Sequence, residues 1–440
     1  MQELDPAFEC RKEFIPQQQL NCGQIFTLIQ RMLIECNRFY AGYTVKIAYL
    51  SYLFSKKLSP DRNINIRDAV LLGLFRNVGD YHFSIERPVD YDDMPPNLVR
   101  ERYLYTYAWV KNMTPLSDIA QAYLFFNTRY DKKIASMNRF MEYGSLVFVA
   151  ERIVKLLLSG GSVNSQKDLE FYGITNFNME YVDFYRELDK DGSVTKMLVA
   201  GEPGDSNSVP PCAKELEKIY QTFECSKEQT NMFFKTLVSI LDFKSSVTVW
   251  HTIHTAGYAC SIGKFYGCNE NELNALFTAG VLHDVGKIAV PQGILEYPGK
   301  LRKWEYRVIQ THVSKTEEMI SDIVDPVIAK MAYRHHEKLN GTGYPHGLSE
   351  KDLSMIERIV QVADVLSALV DRRSYKDEMT EEQLFKILHD MVEKNELDPS
   401  ITALVDNAYG VLKAHRDDYT NLLILPLGMV EIDFLEEMSL

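Results

Sequence analysis

Apolar residues recur at intervals of three and four along Gln24 to Cys36, Val45 to Phe54, Ser145 to Leu158 and Ile356 to Leu369. That spacing lines one face of an α-helix, whereas the two-residue alternation of a half-buried strand is rare in this chain. The pattern predicts an all-α protein. Its clearest interruption is residues 201–212, where glycines, prolines and small polar residues favour neither helix nor strand. At roughly 150 residues per domain, 440 residues allow two to three domains. The expected division is a helical domain over 1–160, a connecting segment over 161–212 and a second helical domain over 213–440.

Comparison of the chain with itself sharpens this picture. Leu71–Asp80 and Thr278–Lys287 share a Gly-x-x-x-x-Val-Gly frame while their polar residues differ. Upstream, Tyr43 and Ala48 match His251 and Ala256; downstream, Val149-Ala-Glu151 matches Val362-Ala-Asp364, with offsets between 207 and 213 residues. Two copies of one helical unit are the simplest account.

Composition narrows the function. With 46% hydrophobic and 25% charged residues the chain has the make-up of an ordinary globular enzyme. A net charge of -13 gives no global attraction to polymeric nucleic acid or anionic lipid, although a small anionic ligand needs only a local basic pocket. Seven scattered cysteines without a C-x-x-C pair indicate neither a disulfide framework nor a thiolate zinc site, and fit a reducing cytoplasm. No secretory leader or membrane-spanning run is apparent, so the expectation is a cytoplasmic protein with no membrane partner.

The histidines change the picture most. Seven of ten (His251, His254, His283, His312, His335, His336, His346) fall within 96 residues. Imidazole and carboxylate donors together suit iron, manganese, zinc or nickel. His283-Asp284 follows the apolar stretch Leu276 to Leu282; the imidazole of such a pair can hold one cation while the carboxylate spans to a second, and Lys287 lies one turn on. Taken alone, a His-Asp pair is more often a polar pair satisfied within its helix. His335-His336-Glu337 at a helix end, followed by a Gly-Thr-Gly-Tyr-Pro345 loop, would put ligands at a pocket rim. His312 sits in a helical stretch, and Asp364 lies in an apolar run where an unmet carboxylate would be costly.

His283-Asp-x-Gly-Lys287, Pro298-Gly-Lys-Leu301, His335-His-Glu337, Gly343-Tyr-Pro345, Arg358-Ile359 and Ala363-Asp-Val365 together resemble the HD-GYP phosphodiesterases, over about residues 230–400. The resemblance implies two HD-like helical bundles in tandem, the first degenerate and the second an HD-GYP domain. It implies metal ligands at His251, His283, Asp284, His312, His335, His336 and Asp364, with Asp284 bridging two divalent transition-metal ions, iron or manganese first and nickel or zinc next. Lys287, Tyr344, Arg373 and Lys376 would contact the substrate, and Asp284 and Lys287 would serve catalysis. The substrate implied is a cyclic dinucleotide, 3′,3′-cGAMP ahead of c-di-GMP because of the tandem arrangement, opened to a linear 5′-phosphorylated product. A homodimer would fit the same resemblance. The rival readings are a cyclic-dinucleotide receptor with little turnover and an HD-type mononucleotide phosphohydrolase.

Several positions depart from the family pattern. Val247 stands where a glutamate is usual four residues before the first histidine, His254 replaces an arginine, and Asn340 replaces an aspartate. A third metal therefore lacks a ligand, and His254 is expected to pack rather than coordinate. In the front copy Tyr43, Arg76-Asn77, Asp80 and Phe126-Asn127 replace the site residues, leaving Glu151 as the retained carboxylate; this copy is expected to hold no metal. Two look-alikes are set aside. His389-Asp390 lies on a charged helix, and Glu187-x-Asp-x-Asp-Gly192 starts like a calcium loop but has Leu198 at its twelfth position.

Overall fold

The computed structural model describes residues 15–36, 38–62, 64–83, 95–125, 128–200, 209–370, 379–423 and 427–438. Among these there is no β-strand, only an isolated antiparallel bridge between Asn340 and Ser349. No described helix is long and apolar enough to cross a membrane.

The chain divides into two compact units, Asn21–Phe243 with Leu425–Leu440, and Met1–Leu20 with Lys244–Ile424. This division differs from the expected boundary at 212/213. In the amino-terminal unit, α1 (Cys22–Cys36), α2 (Arg38–Arg62), α3 (Ile66–Phe75), α4 (Pro96–Met113) and α5 (Arg139–Leu158) are joined by α6 (Pro211–Tyr220) and α7 (Lys227–Leu241). The apolar faces of α6 and α7 have their partners here. The Phe26 ring of α1 lies 4.7 Å from Phe233 and 5.9 Å from Tyr220, edge to face, and Thr236 donates to the Met113 carbonyl at 2.6 Å. A glycine-rich break therefore does not mark the edge of the compact unit: hydrophobic burial carries the unit on to residue 243.

The carboxyl-terminal unit is built on α8 (Ser246–Tyr266), α9 (Glu270–Leu282), α10 (Lys303–Ile320), α11 (Pro326–Tyr333), α12 (Met355–Val370) and α13 (Pro399–Asn421). Helix α8 packs against α9, α12 and α13. A capping box between Asn269 and Glu272 satisfies the first backbone N–H groups of α9, and an almost wholly buried helix then delivers His283 and Asp284 into the interior.

The repeated glycines explain themselves as contacts. A Cβ on Gly280 would stand 2.5 Å from the Ala256 Cα, and one on Gly73 would stand 2.9 Å from the Ala48 Cα. A Cβ on Gly286 would stand 2.0 Å from the His312 carbonyl, and one on Gly79 would stand 2.2 Å from the Arg102 carbonyl. The amides of Gly286 and Gly79 donate to Thr316 (3.1 Å) and Thr106 (3.0 Å) respectively. The shared frame is thus a shared set of close approaches, and it identifies Arg102 as the counterpart of His312. Phe126-Asn127 lies outside the described residues.

What fills the amino-terminal copy is charge from side chains. Arg76, at the position of His283, donates to both oxygens of Glu151 at 2.9 and 2.7 Å, with its guanidinium 3.9 Å above the Tyr103 ring. Arg102 pairs with Asp80, which also accepts from Asn77. All of these groups are buried. Removing one partner of such a pair leaves an uncompensated charge in the core. Glu151→Gln is accordingly expected to lower the unfolding free energy by about 3–5 kcal/mol, with much of the loss recovered by combining Arg76→Met with Glu151→Leu. Urea unfolding of the full chain checks this, and a loss below about 1 kcal/mol would show that the pair does not hold these helices.

Candidate metal centre

Five elements converge on one buried cluster. His251 comes from the second turn of α8, His312 from the middle of α10 and Asp364 from α12, while His283 and Asp284 leave the end of α9 and His335 and His336 follow α11. His283, Asp284 and His312 have no exposed surface.

The backbone fixes which nitrogen each imidazole offers. Nδ1 of His283, His312 and His335 lies 2.7, 2.7 and 2.6 Å from the carbonyl three residues earlier, those of Gly280, Ile309 and Ala332. Each ring therefore carries its proton on Nδ1 and turns a bare Nε2 into the cluster. His251 is held from the other side, its Nδ1 3.2 Å from the Ser367 hydroxyl.

Asp284 stands between two sets of donors. Its Oδ2 is 3.1 Å from His283 Nε2 and 3.4 Å from His251 Nε2, and Asp364 Oδ1 completes that side at 2.9 Å from His251. Its Oδ1 is 3.3 Å from His312 Nε2 and 3.9 Å from His335 Nε2. The rings of His335 and His336 are 4.1 Å apart, and His336 Nδ1 is 3.6 Å from Asp364 Oδ2. The donor atoms of His251, His283 and Asp364 lie within 4.8 Å of one another, as do those of His312, His335 and His336, and those of His283, Asp284 and His335. Asp284 Oδ1 is buried and accepts no hydrogen bond. A carboxylate oxygen left in that condition among nitrogen lone pairs fits a cation.

The electrostatics agree. Burial would push Asp284 up, but His283 and Lys287 hold it well below the usual carboxylate range. Burial acts the same way on Asp364, and its hydrogen bond with His251 leads the influences that hold it well below the usual carboxylate range. Burial pushes His312 down to about 3 and His336 to about 4, and His335 falls well below its ordinary value. Charged Asp284 and Asp364 with neutral His312, His335 and His336 are the states in which these groups bind a metal.

Outside the cluster the expected residues divide. Lys287 Nζ donates to Asp284 Oδ2. The Tyr344 ring lies 4.8 Å from that of His336. Arg373 and Lys376 lie outside the described residues. His254 stays beside Trp250, ring centroids 5.8 Å apart, and His346 Nε2 faces Glu317 at 3.4 Å. Val247 is 41% exposed at the start of α8. His389 and Asp390 pair on the surface with Asp406 and Lys394, and Leu198 is fully buried as a core residue.

Sequence reasoning gave Glu337 no role, yet it organises the loop. Its buried carboxylate accepts from the amides of His346 at 2.7 Å and Leu348 at 2.8 Å, and a Cβ on Gly343 would stand 2.4 Å from the Lys338 nitrogen. The Gly-Tyr-Pro loop is thus folded back onto the residue that follows the two histidines, which brings Tyr344 over His336. The adjacency of Glu337 to the histidine pair was the available signal.

Residues 235–401 match the HD domain family. This segment is an HD domain. Over 402 residues, 87% of this chain, the protein is 25% identical to the 3′3′-cGAMP-specific phosphodiesterase 1 of Vibrio cholerae, 90% of which is covered. It is 34% identical over 184 residues to phosphodiesterase 3 of the same specificity and organism. It is 37% identical over 179 residues to the cyclic di-GMP phosphodiesterase response regulator RpfG of Xanthomonas campestris. These two matches take in 42% and 40% of this chain and span 39% and 47% of the relatives. Among solved structures, a cyclic GMP-AMP-specific phosphodiesterase of V. cholerae superposes with a TM-score of 0.55 at 15% identity, covering 88% of this chain and 97% of that one. This likeness extends the shared fold beyond the HD domain.

The lowered histidines of the HD domain give a pH test. Because His312, His335 and His336 have folded values below the ordinary 6.5, the unfolded chain binds more protons beneath that pH. Their contribution is fully present at neutral pH and is lost as pH falls from 6.5 toward the folded values of about 4 and about 3. The metal-stripped protein should lose about 1 kcal/mol per histidine per pH unit in that window. Urea unfolding near pH 7 and near pH 5 checks this, and equal stability at both would show that the imidazoles accept protons without unfolding.

Proposed function

We propose that the protein is a metal-dependent phosphodiesterase that opens a cyclic dinucleotide, 3′,3′-cGAMP in preference to c-di-GMP, to a linear dinucleotide with a 5′-phosphate. The observation that carries this reading is Asp284, a buried carboxylate with one oxygen facing His251 and His283 and the other facing His312 and His335. In this reading His251, His283, Asp284 and Asp364 hold one divalent transition metal and Asp284, His312, His335 and His336 a second. Iron or manganese suits this imidazole and carboxylate set best, with nickel or zinc next. Bound metals of this kind supply acidified water and Lewis acidity toward phosphoryl oxygens. The chain's own residues do the rest. The carbonyls of Gly280, Ile309 and Ala332 hold three imidazoles in their donor orientation, Asp284 stands between the two donor sets, and Lys287 would place an ammonium where charge grows on phosphoryl oxygens.

Preference for 3′,3′-cGAMP follows the two V. cholerae relatives, the first of which matches along most of this chain. Preservation of every metal-facing residue argues against a receptor without turnover, and the Gly-Tyr-Pro loop against a mononucleotide hydrolase. The substrate is a small diester in the cytoplasm, consistent with an acidic chain bearing free thiols.

Incubating the manganese- or iron-loaded protein with a panel of cyclic dinucleotides and chromatographing the products tests the reading. Asp284→Ala is expected to reduce turnover to background while the chain stays folded by circular dichroism; near-normal hydrolysis by that variant would overturn the mechanism. A second expectation concerns stoichiometry. Val247 lies one turn from His251 and offers no lone pair, so metal analysis of anaerobically prepared protein should give about two ions per chain. Three fully occupied sites would show that another residue serves in its place.

A further inference from the structure

Three of the clustered imidazoles are pinned by the chain segments that carry them: His283, His312 and His335 each hold Nδ1 against the carbonyl three residues earlier. His251 and His336 are held differently, and α12 reaches both. Ser367 on that helix is fully buried. Its hydroxyl donates to the His251 carbonyl at 3.3 Å and stands 3.2 Å from His251 Nδ1. A hydroxyl has one proton to give. With that proton on the carbonyl, the oxygen accepts from Nδ1, which leaves Nε2 as the atom facing Asp364 Oδ1 at 2.9 Å and Asp284 Oδ2 at 3.4 Å.

Gln361 acts at the other end of the same stripe. It is buried, and its Nε2 donates to the carbonyl of Glu337, the residue directly after His336, and to the Glu396 carbonyl at 3.1 Å. The Leu339 amide donates to that second carbonyl at 3.2 Å, so the turn carrying His336 is tied to α12. Asp364 lies between the two, with Oδ2 3.6 Å from His336 Nδ1. Positions 361, 364 and 367 are three apart, about 4.5 Å and 60° per step, so one stripe of the helix serves both donor sets.

We propose that Gln361 and Ser367 are positioning residues with separate duties. Ser367 sets the ring of His251 for the ion that His251, His283 and Asp364 would hold, and Gln361 sets His336 for the ion that His312, His335 and His336 would hold. The inference rests on the two-metal reading above and adds which side chain serves which ion. Groups behind a ligand fix its tautomer and orientation without touching the metal, and removing one typically weakens binding about 10–100-fold.

The test is manganese binding to the metal-stripped full chain, measured by competition with a chelator, with anomalous scattering from crystals grown at limiting manganese to show which ion is lost. Ser367→Ala is expected to weaken one ion about tenfold or more, and the ion lost first is the one beside His251. Ser367→Thr keeps the hydroxyl and should stay within about threefold of wild type. Gln361→Met, similar in length but without a donor, should lose the ion beside His336 first. Should Gln361→Met fold poorly by circular dichroism, Gln361→Asn, whose amide is one methylene too short for the same reach, carries the same expectation. Unchanged affinity for both ions in Ser367→Ala or in the Gln361 variant overturns the assignment. So does equal weakening of both ions, which would make α12 a general support, and so does a loss in Ser367→Thr as large as that in Ser367→Ala. A wild-type protein that binds no more than one manganese overturns the two-metal reading itself, and the division of duties falls with it.

Discussion

A carboxylate taken into a helical core must meet positive charge there or lose its own, and much of this molecule is arranged around that requirement. In the carboxyl-terminal unit Asp284 and Asp364 are buried beside imidazoles of which His312 and His336 are held neutral by burial, and Lys287 supplies a permanent cation beside Asp284. Such a cluster is short of positive charge as it stands. The long apolar run of α9, the carbonyls that pin three Nδ1 protons, and the Ser367 hydroxyl against His251 all hold the donors in place against mutual repulsion. The donors stand as a divalent ion would need them.

The amino-terminal unit meets the same requirement by different means. Glu151 occupies the place of Asp364, and its counter-charge is Arg76; Asp80 is answered by Arg102. Each guanidinium can satisfy a carboxylate bidentately and stays protonated at any physiological pH, which is why arginine rather than lysine suits the task. The packing frame survives unchanged because it depends on Gly73 and Gly79 touching backbone, not on what the polar side chains do.

Much of the site was legible in the sequence because its chemistry is local. His283-Asp284 and His335-His336 are neighbours in the chain, and each lies at a helix end that apolar periodicity exposes. What could not be read depends on distance in the fold. Arg102 looks like any charged residue on a helix until the Gly79 contact with its carbonyl pairs it with His312. Glu337 becomes a loop clamp only once the chain has turned back to present two amides to it. The extent of the first unit was misjudged at the 201–212 break because composition reports where helix is disfavoured, while the edge of a compact unit depends on which apolar faces find each other, here Phe26 with Tyr220 and Phe233.

The two internal ion pairs also bear on how such a chain can change over generations. Turning Arg76 into a histidine strands Glu151, turning Glu151 into a neutral residue strands Arg76, and the same holds for Asp80 and Arg102. Each single step forfeits several of the roughly 5–15 kcal/mol that keep a domain folded. Giving this copy a set of metal ligands would need several coordinated substitutions, with destabilised intermediates between. The two arginine pairs therefore act as a ratchet: neither member of a pair can change alone without leaving its partner's charge buried and unmet.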